Sequence, residues 1–284
     1  MKRTLYAVLI VVLLIVFGVS AFFVGRYVLE GKQQAERFDQ LADIKNQSTT
    51  VATEPPAAVP EATTGNAITD VPADATTPSA VPAPVPSEGG ILPEYKDLYA
   101  MNNDLVGWIK IEGTKVDYPV MQTPGSTDFY LHRSFDKEYS DRGCIYVRED
   151  CDLEEPSDNV TIYGHNMLDG SMFAALHNYT DKAYWQDNSL IFFDTLTERH
   201  TYKIFAVFKT SANIGEGFSY HQFVDAANEK EFNDFVSTCK ELSKKYYYDT
   251  GITPVYGDKL ICLSTCEYTL GDNSRLVVAA VRFS

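Results

Sequence analysis

The first pattern along the chain is an uninterrupted apolar run, residues 5–25, which carries no charge and is bracketed by Lys2, Arg3 and Arg26. At about 1.5 Å per residue, such a run spans a bilayer core of about 30 Å as a helix. Over 26–45 the apolar residues thin to Leu29, Phe38, Leu41 and Ile44 among charges, a pattern that fits a short helical or a frayed stalk. Residues 46–90 then hold 8 of the 13 prolines and no aromatic residue. Such a stretch cannot bury enough apolar surface to offset its ordering entropy, which predicts a disordered linker with polyproline character that holds the rest off the membrane.

Globular patterning begins near 91. Tyr95, Leu98 and Tyr99 have helical spacing within 92–102. Residues 106–112 and 116–121, around Gly113-Thr114-Lys115, read as a hairpin. Residues 128–135 are mixed and irregular, and 143–148 and 160–165 read as strands. A helical turn over 171–178 takes Ser171 as its N-cap. A second hairpin joins 190–194 to 200–209. Over 228–247, Phe232, Phe235, Val236, Cys239 and Leu242 recur three and four apart, which predicts an amphipathic helix. Finally, 260–263 and 276–281 have the length and β-branched content of buried strands, with polar 267–274 between them. Short strands at regular spacing fit a closed or nearly closed barrel.

Charge sharpens this division. Residues 1–45 carry 6 basic and 4 acidic side chains, 46–90 carry 5 acidic and no basic ones, and 91–284 carry 18 basic and 30 acidic ones. An acidic globular part without a basic stripe argues against a nucleic-acid partner. Lys2 and Arg3 favour a cytoplasmic 1–4 and a membrane anchor at 5–25. The rival is a cleaved signal peptide with Val19-Ser20-Ala21 as its cleavage site. Either way, the remainder is exported.

The candidate chemistry gathers at strand ends. Cys266 closes one of the last strands and Arg275 opens the next, while the strand ending in Tyr163-Gly164-His165-Asn166 brings a histidine to a similar place. A thiol attacks as thiolate, and nearby cations favour that form. An imidazole protonates a leaving amine, and a guanidinium hydrogen-bonds an oxyanion, so the three form a kit for acyl transfer. Against this, a free Cys at a strand end is often a small core residue, and a strand-end Arg is often solvated. Tyr163 shares a strand face with His165 and lines a groove or is buried structurally. Ser264, on the same face as Cys266, lines a groove or is a neutral surface serine.

The other side chains are less eloquent. His132, His177, His200 and His221 sit in polar or loop contexts and read as solvated. Cys239 and Cys262 read as core, and Cys144 and Cys151 are close enough in sequence to pair across a short loop. No Cys/His grouping has zinc-ligand spacing, so no metal is expected.

LSTC followed nine residues later by an Arg that opens a Val-rich strand, with YGHN upstream, resembles the signature of sortases, the cysteine transpeptidases of Gram-positive cell surfaces. YGHNMLDGSMFAALHNY and the helix placed late among the strands are similar to class B sortases in particular. The resemblance covers 92–283. It implies a mainly β fold: an eight-stranded sortase-type barrel over 91–284, with an N-terminal helix and a long helix inserted between late strands. It implies Cys266 as nucleophile, His165 as general acid/base and Arg275 as the group that stabilises oxyanion or substrate. Leu131, Tyr163, Ser264, Thr265 and Glu267 would bind substrate, although Glu267 is equally a solvated loop charge, and its carboxylate opposes thiolate formation. The implied partners are secreted proteins bearing a C-terminal Asn-Pro-x-Thr-x-like sorting signal and a cell-wall amino group, on the cross-bridge or its lipid-linked precursor. No cofactor is implied, since the cysteine supplies the nucleophile. Two other readings stand beside this one: an exported cysteine protease that hydrolyses its acyl-enzyme, and a non-catalytic tethered wall-binding barrel.

Overall fold

The last two apolar runs form strands that are buried on both faces, which is why they read as continuous rather than alternating. In the computed structural model, which describes residues 2–51, 90–213, 215–271 and 273–284, these are β7 (Leu260–Glu267) and β8 (Ser274–Arg282), paired antiparallel. Ile261, Leu263, Leu276, Val278 and Ala280 face the main core. Leu260, Cys262, Val277 and Ala279 face a second apolar layer on the other side of the sheet.

Eight strands close a barrel among the described residues. The remaining strands are β1 (Leu105–Lys110), β2 (Asp117–Met121), β3 (Ile145–Val147), β4 (Asn159–Tyr163), β5 (Leu190–Thr195) and β6 (Thr201–Ser211). Around the ring the order is β1-β2-β3-β4-β7-β8-β6-β5, and β5 pairs with β1 to complete it. β2–β3 and β4–β7 are the parallel pairs. Both expected hairpins form.

Helices cover the barrel. α2 (Pro93–Met101) has Pro at its start, where the absent N–H costs nothing, and buries Tyr95 and Leu98. α4 (Glu229–Tyr246) is capped by Asn228, whose side chain accepts from Glu231 N. Its stripe of Phe232, Phe235, Val236 and Cys239 packs on Phe205, Phe208 and the outer face of β7 and β8. α3 (Lys182–Asp187) is a short helix that no apolar periodicity announces; Asp181 caps it by accepting from Ala183 N at 2.8 Å. The helical turn expected from 171 is a 3₁₀ helix, Phe173–Thr180. Ser171 does not cap it and instead donates to Asp169 Oδ1 at 2.6 Å.

The largest departure lies at the amino end. α1 (Lys2–Val51) runs through the apolar stretch, the expected stalk and residues 46–51 without a break; the rest of the segment read as linker, 52–89, lies outside the described residues. Its first part is long and apolar enough to cross a membrane by length and composition. Its second part lies on the barrel. Phe38 and Leu41 are buried in the main core, with the Phe38 ring 5.0 Å from that of Tyr118. Gln34 Nε2 donates to Gly143 O at 2.6 Å, and Arg37 pairs with Asp136. Lys45 Nζ sits 4.2 Å from the Trp108 ring centroid and 3.3 Å from Asp117. Residues 34, 38, 41 and 45 share one helix face, and the barrel supplies the surface that this weakly apolar stripe lacks by itself.

Candidate active site

β7 presents one residue that is not buried, Cys266; every other position from Leu260 to Glu267 is. The register sets Cys266 directly opposite Arg275. Residues opposed across an antiparallel pair point to the same face with Cβ atoms about 5 Å apart, so thiol and guanidinium share one patch of the rim. One guanidinium donor, Nη1, is used on Ser274 O at 3.0 Å.

The parallel β4–β7 pair brings the histidine alongside. Tyr163 is in register with Ser264, and Gly164 N donates to Ser264 O at 3.1 Å. β4 stops at Tyr163 rather than continuing to 165, so His165 leaves the strand end one step beyond Gly164, while Cys266 is still within β7. Gly164 is demanded by packing, because a Cβ there would strike the Ile145 and Phe173 side chains.

His165 Nε2 lies 2.8 Å from Leu131 O. A carbonyl only accepts, so Nε2 carries a proton and Nδ1 is the nitrogen left for proton exchange. Burial lowers the imidazole pKa; the bond to Leu131 O opposes this, and the neighbouring His132 and Arg275 add to the lowering. The His132 and His165 ring centroids are 5.6 Å apart.

These groups open into a groove of about 390 Å³ lined by Leu131, Tyr163, His165, Thr265, Cys266 and Arg275, among others. Tyr163 is half-buried against Tyr146, with ring centroids 5.3 Å apart. Ser264 lines the groove but is buried, its Oγ 2.6 Å from Tyr220 OH. Thr265 is 2% exposed and its Oγ1 has no hydrogen-bond partner. Glu267 is not among the lining residues: it is buried, and both its carboxylate oxygens accept from Thr269 N at 3.0 Å.

The other thiols are separated from this one by burial. Cys144, Cys151, Cys239 and Cys262 are free and buried, and burial pushes all four upward, Cys151 to about 11. Cys144 and Cys151 are therefore not paired. Among the described residues, no three His, Cys, Asp or Glu side chains are grouped to hold a metal ion.

Further side chains reach the site that the sequence pattern did not single out, among them His221, read as solvated, which lines the groove. Asn166 Nδ2 donates to Cys266 O at 3.3 Å, and His177 Nε2 is 3.1 Å from both Cys266 O and Asn166 Nδ2. With either His177 tautomer, the Cys266 carbonyl receives at least one N–H. His177, read as solvated, is thus an inward-turned neighbour of the nucleophile's backbone. Arg148 also lines the groove; Nη2 pairs with Asp150 at 3.0 Å, and Nη1 is buried without a partner. The one signal for Asn166 was its place immediately after His165.

Comparison with known proteins agrees with this geometry. The chain matches the sortase domain over residues 109–283. Sortase B of Listeria monocytogenes is 32% identical over 179 residues, 63% of this chain and 69% of that protein. Sortase B of Staphylococcus aureus is 26% identical over 192 residues, 68% of this chain and 75% of that protein. A solved Staphylococcus aureus sortase B–substrate complex shares the fold, with a TM-score of 0.68 across 90% of this chain and 99% of that one at 23% identity. The chain belongs to the sortase family of cysteine transpeptidases, and its class B relatives are those it resembles.

Proposed function

We propose that this chain is a membrane-anchored, outward-facing transpeptidase that joins secreted proteins bearing an Asn-Pro-x-Thr-x-like sorting signal to an amino group of the cell wall. The Cys266 thiolate attacks the Thr carbonyl, forming the C–S bond, while the Arg275 guanidinium takes the oxyanion. Collapse breaks the C–N bond, and imidazolium His165 gives its Nδ1 proton to the departing amine. An acceptor amine from the cross-bridge or its lipid-linked precursor then attacks the thioester, His165 takes the proton, and the C–S bond breaks to restore the thiolate. Leu131, Tyr163 and Thr265 form the groove wall along the signal.

The observation that carries this reading is the Cys266–Arg275 cross-strand pair, with Cys266 the one residue of β7 that is not buried. Its test is mass spectrometry of the full chain in detergent with a sorting-signal peptide, with and without a diaminopimelate or glycine mimic. The expected result is an adduct on Cys266 that passes to the amine and is absent in Cys266→Ala and His165→Ala. Adduct released only to water would make the chain a protease, and no adduct across a panel of signals would refute the enzymatic reading.

A further inference from the structure

α1 runs from the apolar span onto the barrel surface without a break, and the part of the barrel it first touches adjoins the catalytic rim. The uncharged run ends at Gly25. Two residues on, Tyr27 meets Arg142, whose guanidinium carbon lies 4.7 Å from the ring centroid and whose Nη2 donates to Tyr27 O at 3.4 Å. Arg142 is 3% exposed and pairs with Asp169 at 2.5 Å. One turn further, Gly31 packs so closely on Arg142 that a Cβ would collide with the guanidinium. Gln34 then holds Gly143 O.

Both barrel loops in this contact adjoin the site. Residues 133–144 lead into β3 beside Leu131, and 164–172 follow β4 and begin with Gly164 and His165. From Gly25 to Gly31, α1 climbs about 9 Å at about 1.5 Å per residue. The Gly31–Arg142 contact therefore stands about that far along the helix from the end of the span.

At this height the two loops expose large apolar side chains. Leu168 is 96% exposed and Tyr139 is 71% exposed. Tyr139 and its neighbour Asp141 lie close enough to Arg26 to add to the rise in its pKa, which comes first from Glu30. Some of the charges around them are paired, Arg26 with Glu30, Arg37 with Asp136 and Arg142 with Asp169, while Glu138 and Asp141 beside Tyr139 carry negative charge, without an ion pair among the described residues, that the insertion of Tyr139 must accommodate. An aromatic and a leucine beside the end of a membrane span are the side chains that settle in the headgroup layer.

We propose that the catalytic rim rests on the bilayer, with Leu168 and Tyr139 inserted among the lipid headgroups, so that the groove opens at the membrane surface and not at the end of a tether. This rests on the reading of α1 as a membrane anchor. The occupant is the phospholipid surface itself, because α1 enters that surface and its packed face, through Gln34, Phe38 and Leu41, holds the barrel against the same continuous helix.

The test uses the full chain with Cys266→Ala, so that no exposed native thiol reacts, reconstituted in phosphatidylcholine/phosphatidylglycerol vesicles. An environment-sensitive fluorophore is placed on one introduced cysteine at a time: Leu168→Cys, Tyr139→Cys, Val16→Cys within the span, and Phe283→Cys at the opposite barrel end. Lipids carrying a shallow nitroxide should quench the Leu168 and Tyr139 probes at least twofold more than the Phe283 probe, and deep nitroxides should quench the Val16 probe. Quenching of Val16 with Leu168 and Tyr139 no different from Phe283 would overturn the docked rim while leaving the anchor intact. An unquenched Val16 probe would overturn the anchor, and the docked rim with it.

Discussion

The Cys266 carbonyl is held by two side chains that stand in for each other, and this predicts a non-additive pair of substitutions. In Asn166→Leu, His177 Nε2 at 3.1 Å is still able to donate to the carbonyl; in His177→Phe, Asn166 Nδ2 at 3.3 Å still does. Each single variant should acylate within about twofold of the native chain, since the carbonyl keeps a donor. The double variant leaves a part-buried acceptor unpaired, a cost of about 1–3 kcal/mol. If that cost falls on the position from which the thiolate attacks, acylation slows by roughly 5–150-fold, at about 1.4 kcal/mol per tenfold. The assay is the rate of Cys266 acylation by a sorting-signal peptide, followed by mass spectrometry and arranged as a double-mutant cycle. His177→Gln combined with Asn166→Leu should recover most of the rate, because the Gln amide is a donor. A double variant no slower than the product of its singles would refute the reasoning.

Three other outcomes follow from the same geometry. Arg275→Lys keeps the charge but loses the planar fork, and should lower acylation about 10²-fold while Cys266 remains open to alkylation; peptide turnover beside iodoacetamide labelling separates the two. Leu41→Ala removes a fully buried side chain at the α1–barrel contact and should cost about 2–5 kcal/mol, read as a lower Tm and faster amide exchange over 36–46. The depressed His165 pKa means that the unfolded chain binds a proton there more readily than the folded one. Stability is therefore lost as pH falls from the ordinary His value of about 6.5 towards the folded one. His165→Gln should show a smaller loss of Tm than the native chain between pH 7 and 5.

The strands and α4 are legible in sequence because each carries a strong periodic or continuous apolar signal: Phe232, Phe235, Val236 and Cys239 can be arranged on one face only as a helix. Cys266, Arg275 and His165 are legible for a related reason, since each stands where such a run meets polar residues. The Cys266–Arg275 register depends on how 267–274 turns, and the match of Tyr163 with Ser264 spans about a hundred residues, so neither is visible locally. His177 reads as a solvated residue because its partner is a backbone carbonyl, which has no signature in the amino-acid pattern. Phe38 and Leu41 make too narrow a stripe to announce a docked helix; the complementary surface around Tyr118 lies far along the chain. Glu267 shows the converse: its position beside Cys266 pointed to the groove, but a bond to its own loop turns the carboxylate elsewhere.

The parallel β4–β7 pair also has a kinetic consequence. It closes a loop of about a hundred residues between Asn159 and Leu260, and contacts of such long separation are slow to form because the entropy of closure precedes the reward. The unfolded chain therefore spends its early life with five thiols accessible and no assembled site. Folding ends that period selectively: four sulfurs disappear into the interior, and the fifth gains its arginine as β7 and β8 pair and its histidine as β4 closes on β7. The last of these steps, the long-range β4–β7 closure, completes the reactive site.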